Sequence, residues 1–324
     1  MKRIVICMTG FLIMAQGVAA GNGDGGYAGA FLRMGIGARA KAMGDAFSAI
    51  PEDAFSGIYN PALLPHLPGR QAAVSFAFLP LDRKLDYVGY AQPLQPKRGD
   101  DGEKAPMRAG FAVAWIHAGV DGIDGRDLAG NHTRDYSFSE NAFYLSFALS
   151  PHEKFALGVS GKVLYSRMPD IQSDNSALTS SGFGLDVGAY FTPFTDLHLG
   201  VVLRDNMSRY TWNTEKVWER GTSVTDKFPR VMRAAVAYRT PLRWLLVSGE
   251  VEESKEQNPR YHFGAEAALP QIGALRLGLD AGHLTFGLGF GFKVLGTDMG
   301  LNYAYVAPDE APGADHIFSW HFGF

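Results

Sequence analysis

The chain has 324 residues, of which 46% are hydrophobic and 19% charged, and its formal net charge is −3. This weakly acidic balance, without a basic patch, excludes nucleic acid as the partner. After residue 20, no apolar run approaches the eighteen or so residues that a membrane-spanning helix needs. The 39 glycines and the 12% content of aromatic residues instead fit a closed β-barrel, the other structure that crosses membranes.

The amino terminus has the three parts of a secretory signal peptide. A basic start, Met1-Lys2-Arg3, precedes an apolar run over residues 4–15 and small residues suited to cleavage at 17–20. We therefore predict a signal peptide over residues 1–20, the alternative being an uncleaved anchor. Cleavage would remove Cys7, the only cysteine, so the mature chain would form neither a disulfide nor a thiolate metal site.

Residues 21–70 are small and apolar but do not alternate. Helical turns are predicted at 38–43 and 51–59. The second begins with proline and two acidic residues, as helix starts prefer, and ends at Asn60-Pro61 because a residue before proline leaves the helical region. A segment of this size, placed before the first strand, can fold back into the lumen of a wide barrel. We therefore predict an N-terminal plug, the alternative being a loose periplasmic extension.

From residue 71 onward the sequence alternates with period two. In the stretch 284–293, for example, leucine and phenylalanine fill one face, and glycine, threonine and lysine fill the other. Segments of about ten residues suit tilted membrane-spanning strands. Fourteen such strands are predicted, near 71–81, 85–93, 107–118, 141–149, 155–166, 181–192, 197–206, 230–240, 242–251, 261–269, 275–282, 284–294, 297–306 and 316–324. The predicted fold is an all-β, 14-stranded antiparallel outer-membrane barrel over residues 71–324.

The connections between these strands alternate in length. Short turns such as 193–196 alternate with longer polar loops such as 119–140 and 207–229. This is typical of barrels whose short turns face the periplasm, and it places both chain termini on the turn side. A soluble β-sandwich or propeller is the alternative, but its outward faces should be polar. Here one face is persistently leucine, valine and phenylalanine, which favours the outer membrane of a Gram-negative-type bacterium.

The last nine residues, HIFSWHFGF, resemble the closing strand of outer-membrane barrels. Its alternating aromatic residues are Phe318, Trp320, Phe322 and Phe324. The resemblance implies that they form the signal read by the barrel-assembly machinery. This machinery and outer-membrane lipid are therefore the predicted partners.

No pattern in the sequence indicates catalysis. The nine histidines lack metal-ligand spacing and no nucleophile motif is present, so we predict neither an enzyme nor a metal site or cofactor. Two interpretations fit the polar residues on the inward face: they bond plug to wall, or they form a polar rim along a permeation route. The first is favoured because buried charges need partners, and Arg39, Lys41, Asp45 and Asp53 are candidates. The inward-facing set comprises Lys162, Asp186, His198, Arg204, His262, Glu266, Asn302 and His321.

One segment, GAFLRMGIGARAKAMGDAFSAIPEDAFSGIYNPALL, resembles a known family. It is similar to the amino-terminal signature of PorV/PorQ-type outer-membrane proteins, within the FadL superfamily of hydrophobic-compound transporters. The matching elements are Ala38-Arg39, Met43-Gly44, Ala46, Ala49, Asp53-Ala54 and Asn60-Pro61-Ala62. The resemblance implies a plug or gate built on Arg39, Met43, Gly44, Asp53, Asn60, Pro61 and Ala62.

The resemblance implies two functions. PorV-type members serve type IX secretion by engaging a translocon and cargo signal domains. FadL-type members take up fatty acids or other hydrophobic molecules, with the amino-terminal hatch as gate and a kinked strand as lateral exit. Because this chain is shorter than typical FadL transporters, we predict a PorV/PorQ-type plugged barrel in outer-membrane transport or secretion, with a translocon as partner. The alternative is FadL-like uptake of a hydrophobic ligand such as a fatty acid.

Overall fold

The computed structural model describes residues 27–94, 107–169, 176–216, 220–269, 273–294, 296–308 and 313–324. The predicted signal peptide and the first residues of the predicted plug lie outside these ranges. The described strands are β1 (Gln71–Leu79), β2 (Arg83–Leu94), β3 (Arg108–Arg126), β4 (His132–His152), β5 (Phe155–Met168), β6 (Leu178–Phe194), β7 (Leu197–Asn206), β8 (Arg209–Asn213), β9 (Ser223–Lys227), β10 (Val231–Arg239), β11 (Leu245–Ser254), β12 (Arg260–Leu269), β13 (Gly273–Asp280), β14 (His283–Val294), β15 (Thr297–Val306) and β16 (Asp315–Gly323).

Fourteen of these strands form a closed antiparallel ring, which confirms the predicted barrel. Consecutive ring strands pair with each other, β7 pairs with β10, and β16 closes the ring on β1 with Trp320 opposite Val74. The other two strands, β8 and β9, form a hairpin outside the ring that attaches to β6 through β8. We call the end where β1 begins and β16 finishes the terminal end, and the opposite end the loop end.

The outward face of the ring is apolar. Phe143, Leu145 and Val163 are each more than half exposed, while the residues beside them in sequence are buried. A continuous belt of exposed leucine, valine and phenylalanine around a closed ring is suited only to lipid. The protein is therefore an outer-membrane β-barrel.

Within the described ranges, no helix is long and apolar enough to cross a membrane.

Two predicted loops contain strands. The loop predicted at 119–140 is mostly a hairpin, because β3 and β4 continue pairing out to Arg126 and His132. The loop predicted at 207–229 contains β8 and β9. Neither hairpin carries an apolar alternation of the ten or so residues that identify a membrane strand, although backbone pairing does not require it.

The described part of the amino-terminal segment, residues 27–70, is buried against the inward faces of the strands. It contains 3₁₀ helices at Ala30–Arg33 and Pro61–His66 and α-helices at Ala38–Ala42 and Ser56–Tyr59. The helix predicted over 51–59 forms only at its end, because the Asp53 carboxylate accepts the Phe55 N–H at 3.0 Å and holds a turn there. Helix Ala38–Ala42 packs on β13–β16, and Pro61–His66 packs on β2–β6.

The segment runs the length of the barrel. At its start, Gly29 lies against the ring of Phe228, in the connection between β9 and β10, and Arg204 donates to the Leu32 carbonyl at 2.9 Å. At its end, His66 Nε2 lies 3.4 Å from Ser150 Oγ, near the turn between β4 and β5. The chain therefore passes from the loop end to the terminal end before it enters β1.

The carboxyl terminus is tied to the terminal end of the ring. Phe324 N–H donates to the Arg70 carbonyl at 2.9 Å. Phe318 and Trp320 make edge contacts with Phe78 and Phe76 of β1 across the closing seam. The aromatic residues of the predicted assembly signal thus lie at the seam of the barrel.

Candidate functional site

The candidate site is the interface between the amino-terminal segment and the inner wall. Glycine brings wall backbone into direct contact with the segment. A Cβ on Gly158 would lie 2.5 Å from the backbone of Pro61 and Ala62, and one on Gly110 would lie 2.5 Å from the Leu64 carbonyl carbon. The wall glycines whose Cβ would meet backbone of the segment in this way are Gly110, Gly158, Gly200, Gly264 and Gly278, and at Gly188 and Gly287 it would meet the Asn60 and Ala42 side chains. At the first five positions the backbones of segment and wall are in direct contact.

Gly44 makes the same kind of close contact from the other side, since it belongs to the segment and lies against the wall backbone. Its φ of +62° lies in the left-handed region, and a Cβ there would collide with the backbone of Phe263 and Leu279. Its N–H donates to Thr285 Oγ1 at 3.2 Å, and its carbonyl lies 3.0 Å from His262 Nδ1. The position therefore requires glycine for both conformation and space.

Arg39 connects the segment to the wall at β12. Its guanidinium donates twice to Glu266, with both distances 2.7 Å, and once to Glu52 at 2.5 Å. Glu266 also accepts from Arg276 Nε at 2.6 Å, and Arg276 donates to Asn302 at 2.9 Å. A paired arginine–carboxylate fork of this kind is a strong and directional contact.

Arg233 forms a second buried charge cluster. Its guanidinium donates to Asp45 at 3.0 Å, to Glu250 at 3.2 Å and, through Nε, to Glu252 at 2.6 Å. Glu250 in turn accepts from both the N–H and the hydroxyl of Ser48, at 2.9 and 2.8 Å. The cluster joins β10 and β11 to two places on the segment.

The segment residue of this cluster, Asp45, is held in place by a further hydrogen bond within the segment. Tyr59 donates to Asp45 at 2.6 Å and accepts the Ile36 N–H at 2.9 Å. Burial, and then the adjacent Asp45 carboxylate, raise the pKa of Tyr59 well above its ordinary value. The hydroxyl therefore stays protonated and keeps donating to Asp45.

Lys41 makes a third connection, an ion pair with Asp280 of β13. Burial alone would lower the pKa of Lys41, but the Asp280 carboxylate outweighs burial and raises it. Asp280 also lies 3.0 Å from His262 Nδ1. The lysine is therefore held charged inside the barrel, and the segment is attached to the wall at β10–β13 by three ion-paired clusters.

The opposite part of the inner wall, β1–β5, is different. Among its described residues, Lys162 is the one buried charged side chain. The contacts with the segment there are apolar: the Phe55 ring lies 4.8 Å from the Tyr87 ring, and Gly57 packs against Leu64 and Ala112. Helix Pro61–His66 is capped by its own Asn60, which accepts the Ala62 N–H at 3.0 Å.

His66, at the end of that helix, is neutral. Burial, and then the charge of Arg108, lower the pKa of His66 to about 4. Its ring lies 4.8 Å from the Tyr190 ring, and Tyr190 bonds His198 Nδ1 at 2.6 Å. The terminal end of the segment therefore rests on an uncharged aromatic cluster.

The wall is interrupted between β6 and β7. Asp205 and Met207 have φ values of 58° and 67°, and β6 loses its β7 partner beyond Leu185 until β8 pairs with it at Ser181. Lys162 lies behind the break, 2.7 Å from Asp186 and 2.6 Å from Asp205. This ion-paired cluster fills the space that the interruption would otherwise open.

The structure brings most of the sequence-predicted residues into these contacts. Six inward-facing polar residues are buried: Lys162, Asp186, Arg204, His262, Glu266 and Asn302. Of the gate residues, Arg39, Met43 and Gly44 face β12–β14, and Asn60, Pro61 and Ala62 face β5–β7. Asp53 lies 3.6 Å from Arg39. Lys162 forms ion pairs with both Asp186 and Asp205 at the interruption between β6 and β7.

Sequence reasoning missed Arg233, Glu250, Glu252, Arg276 and Asp280. The signal that could have found three of them is alternation, because Arg233, Arg276 and Asp280 share a strand face with alanine or glycine, whereas Glu250 and Glu252 share theirs with Leu246 and Ser248. Among the described residues, no group of three or more histidine, cysteine, aspartate or glutamate side chains is arranged to hold a metal ion.

Comparison with known proteins shows the fold. No protein-family model matches the sequence, and no curated protein matches it. The toluene transporter TodX of Pseudomonas putida superposes with a TM-score of 0.57 at 13% identity, covering 89% of this chain and 96% of TodX. A TodX deltaS2S3 mutant, a monoaromatic hydrocarbon channel, gives 0.60 at 12% identity, covering 89% and 98%.

A FadL homologue of Pseudomonas aeruginosa gives a TM-score of 0.51 at 13% identity, covering 86% of this chain and 95% of that one. The chain therefore has the barrel fold of FadL-type outer-membrane channels. This finding matches the predicted superfamily at the level of fold.

Proposed function

We propose that the protein is an outer-membrane channel for hydrophobic small molecules, closed at rest by its amino-terminal segment acting as a plug. The observation that carries the proposal is the placement of residues 27–67 inside a barrel that shares its fold with a toluene transporter. The interior holds apolar side chains of the segment against apolar side chains of the wall. An apolar solute could replace such contacts at little cost, because one apolar surface substitutes for another.

The solute would pass through the barrel interior and not through the break between β6 and β7. A kinked strand is the lateral exit that the FadL resemblance implies, and β7 is interrupted. However, Lys162, Asp186 and Asp205 fill the space behind the interruption, and separating this trio would leave buried charges without partners. Displacement of residues 54–67 of the plug, which make no ion pair to the wall among the described residues, is the less costly opening.

Uptake by cells tests this function. In a host that lacks hydrophobic-compound channels of its own, production of the protein is expected to raise the initial uptake rate of labelled toluene or a long-chain fatty acid at least severalfold. Uptake of a labelled sugar of similar size is expected to stay unchanged, because the interior offers no open aqueous path. Equal rates with and without the protein for every hydrophobic compound tried would contradict the proposal.

One observation favours a second candidate function, the secretion accessory of PorV/PorQ-type proteins. The β3–β4 hairpin extends beyond its neighbours, since β2 stops pairing at Val120 and β5 stops at Ser139. At its tip the Asp127 carboxylate accepts the N–H groups of Ala129 and Asn131 at 2.9 and 2.8 Å. This rigid turn presents Leu128 fully to solvent, as an anchor for a protein partner would be presented.

Leu128→Asp separates the two functions. If a secretion partner binds the tip, this variant is expected to lose co-purification of the translocon about tenfold or more in the native host, and cargo should accumulate in the periplasm, because a charge replaces the apolar anchor. Leu128→Met, which keeps an apolar side chain, should behave as wild type. Hydrocarbon uptake should be the same in all three proteins. Unchanged secretion in the aspartate variant would exclude the tip as a docking point.

A further inference from the structure

The interior of the barrel is divided into a charged part and an apolar part. On β10–β13 the buried side chains include Arg233, Glu250, Glu252, His262, Glu266 and Arg276. On β1–β5 the buried side chains are alanine, serine, leucine, isoleucine, tyrosine and Gln71, with Lys162 the one charged exception among the described residues. Arg108 and Glu140, near the two ends of this part, are partly exposed. The two parts hold the segment by different forces.

The segment is divided in the same way. From Ile36 to Asp53 it carries Arg39, Lys41 and Asp45, each ion-paired to a wall residue on β10–β13. From Ala54 to Leu67 the segment has no ion pair to the wall among the described residues. Removing one partner of a buried ion pair leaves an uncompensated charge, whereas parting two apolar surfaces exposes them to an apolar solute without that penalty. The second stretch is therefore the one that can move.

The hydrogen bonds agree with this division. In the second stretch Tyr87 donates to the Ala54 carbonyl at a long 3.3 Å, and Asn60 holds Ser48 and Ala189 carbonyls at 3.0 and 3.1 Å. Tyr59, between Ala54 and Asn60, bonds Asp45 at 2.6 Å, inside the segment and away from β2–β4. Toward β2–β4, residues 54–67 make apolar contacts such as Phe55 on Tyr87, two long polar contacts (Tyr87 to Ala54, and His66 to Ser150 at 3.4 Å) and no ion pair among the described residues.

Two buried side-chain polar atoms on β1–β5 have no hydrogen-bond partner among the described residues, Gln71 Oε1 at the start of β1 and the Tyr144 hydroxyl, and only the second lies on β2–β4. The hydroxyl of Tyr144 on β4 is buried, and no described atom forms a hydrogen bond to it. A buried hydroxyl without a partner is unfavourable, and it can both donate and accept. It is therefore positioned to bond a polar group on a molecule that enters beside it.

We propose that the solute passes between residues 54–67 and strands β2–β4, that Tyr144 bonds its polar end, and that residues 36–53 stay attached to β10–β13. This deepens the proposed channel function and rests on it. The passage takes apolar molecules that carry one hydrogen-bonding group, such as a phenol or a fatty acid. Tyr144 is then the residue that discriminates between such a molecule and the corresponding hydrocarbon.

Two engineered disulfides test the passage. The predicted mature chain has no cysteine, so each pair stands alone. A Cβ on Gly57 would lie 3.5 Å from the Ala112 Cβ, within disulfide range, and Gly57→Cys with Ala112→Cys would fix the movable stretch to β3. Met43→Cys with Gly264→Cys fixes the attached stretch to β12; the corresponding distance is 2.8 Å and the new Cβ would lie 2.4 Å from the Met43 carbonyl oxygen, so the backbone must shift and the reduced form of the same double variant is the reference.

Oxidation of the Gly57/Ala112 pair is expected to lower p-cresol uptake at least tenfold, and a reductant should restore it in the same protein. Oxidation of the Met43/Gly264 pair should leave uptake within twofold of the reduced protein. Loss of uptake in both oxidised proteins would mean that the whole segment leaves, and retained uptake in the first would mean that the solute passes elsewhere. Either result overturns the proposal.

Toluene and p-cresol, which differ by one hydroxyl, test Tyr144. Tyr144→Phe is expected to lower p-cresol uptake about tenfold and to leave toluene uptake unchanged, because one hydrogen bond is lost and the ring is kept. An equal loss for both solutes would give Tyr144 a structural role only and would remove it from the passage.

A measurement made without any solute tests the proposed passage independently of the channel function. In amide hydrogen exchange of the full chain in detergent, the amides of Ser56–Tyr59 are expected to exchange before those of Ala38–Ala42, because only the latter stretch is ion-paired to the wall. The reverse order overturns the proposed passage whatever the uptake assays show. If the order is as expected but no hydrophobic solute is taken up by wild type, the channel function fails and the division of the segment stands.

Discussion

Arg233→Met is expected to destabilise the barrel by about 3–5 kcal/mol, the usual cost of removing one partner from a buried ion-paired cluster. The guanidinium is 1% exposed and serves Asp45, Glu250 and Glu252 together. Without it, Asp45 and Glu250 lose their paired cation, and Glu252 keeps only Arg260, at 3.5 Å. Urea unfolding of the protein in lipid vesicles, followed by the electrophoretic mobility of the folded form, measures the loss.

The matched control is Arg243→Met, in the turn between β10 and β11. Arg243 is 77% exposed and lies 3.6 Å from an exposed carboxylate, Asp196, so its removal should change the free energy of unfolding by less than about 1 kcal/mol. If the two variants unfolded at the same urea concentration, the Arg233 cluster would not hold the segment to the wall.

Gly158→Ala is expected to open the resting channel. The added methyl would lie 2.5 Å from the backbone of Pro61 and Ala62, and backbone cannot swing aside as a flexible side chain can. Overpacking of this kind costs about 1–3 kcal/mol, and the strain falls on the movable stretch of the segment and not on the paired strands. We expect a measurable ion conductance in planar bilayers and a severalfold increase in sensitivity to large polar antibiotics.

Gly161→Ala, three residues further along β5, is the control. Its Cβ would face outward and meet only the Phe183 ring at an ordinary 3.8 Å, so it adds the same methyl without touching the segment. This variant should remain closed. Equal conductance of the two variants would indicate that the wall glycines do not seat a plug.

The barrel was predictable because each membrane strand carries its own signal. A strand with one face toward lipid must alternate, so the pattern at 284–293 identified β14 without any knowledge of its neighbours. The charged contacts were not predictable in this way. Arg39 and Glu266 are 227 residues apart, and only closure of the ring places them in contact. The outer part of the β3–β4 hairpin and the β8–β9 hairpin do not carry this alternation over the length of a membrane strand.

Which branch of the FadL superfamily the chain resembles is a separate question from its fold. The short motif from Ala38 to Ala62 indicated PorV/PorQ-type proteins, whereas TodX and a FadL homologue are among the solved structures that share the barrel fold. A motif of this length describes how a segment packs against a wall, and that packing is compatible with either use. Recognition of Phe324 and its neighbouring aromatics by the assembly machinery stays a prediction.

The direction in which the amino-terminal segment runs restricts the order of assembly. Its first described residues lie at the loop end, far from β1, and its backbone touches the wall on many strands around the ring. Once the ring of strands is closed, these close contacts leave little room for the segment to be inserted along the barrel. We therefore expect the sheet to form around the segment while the ring is still open, with the seam between β1 and β16 closing afterwards.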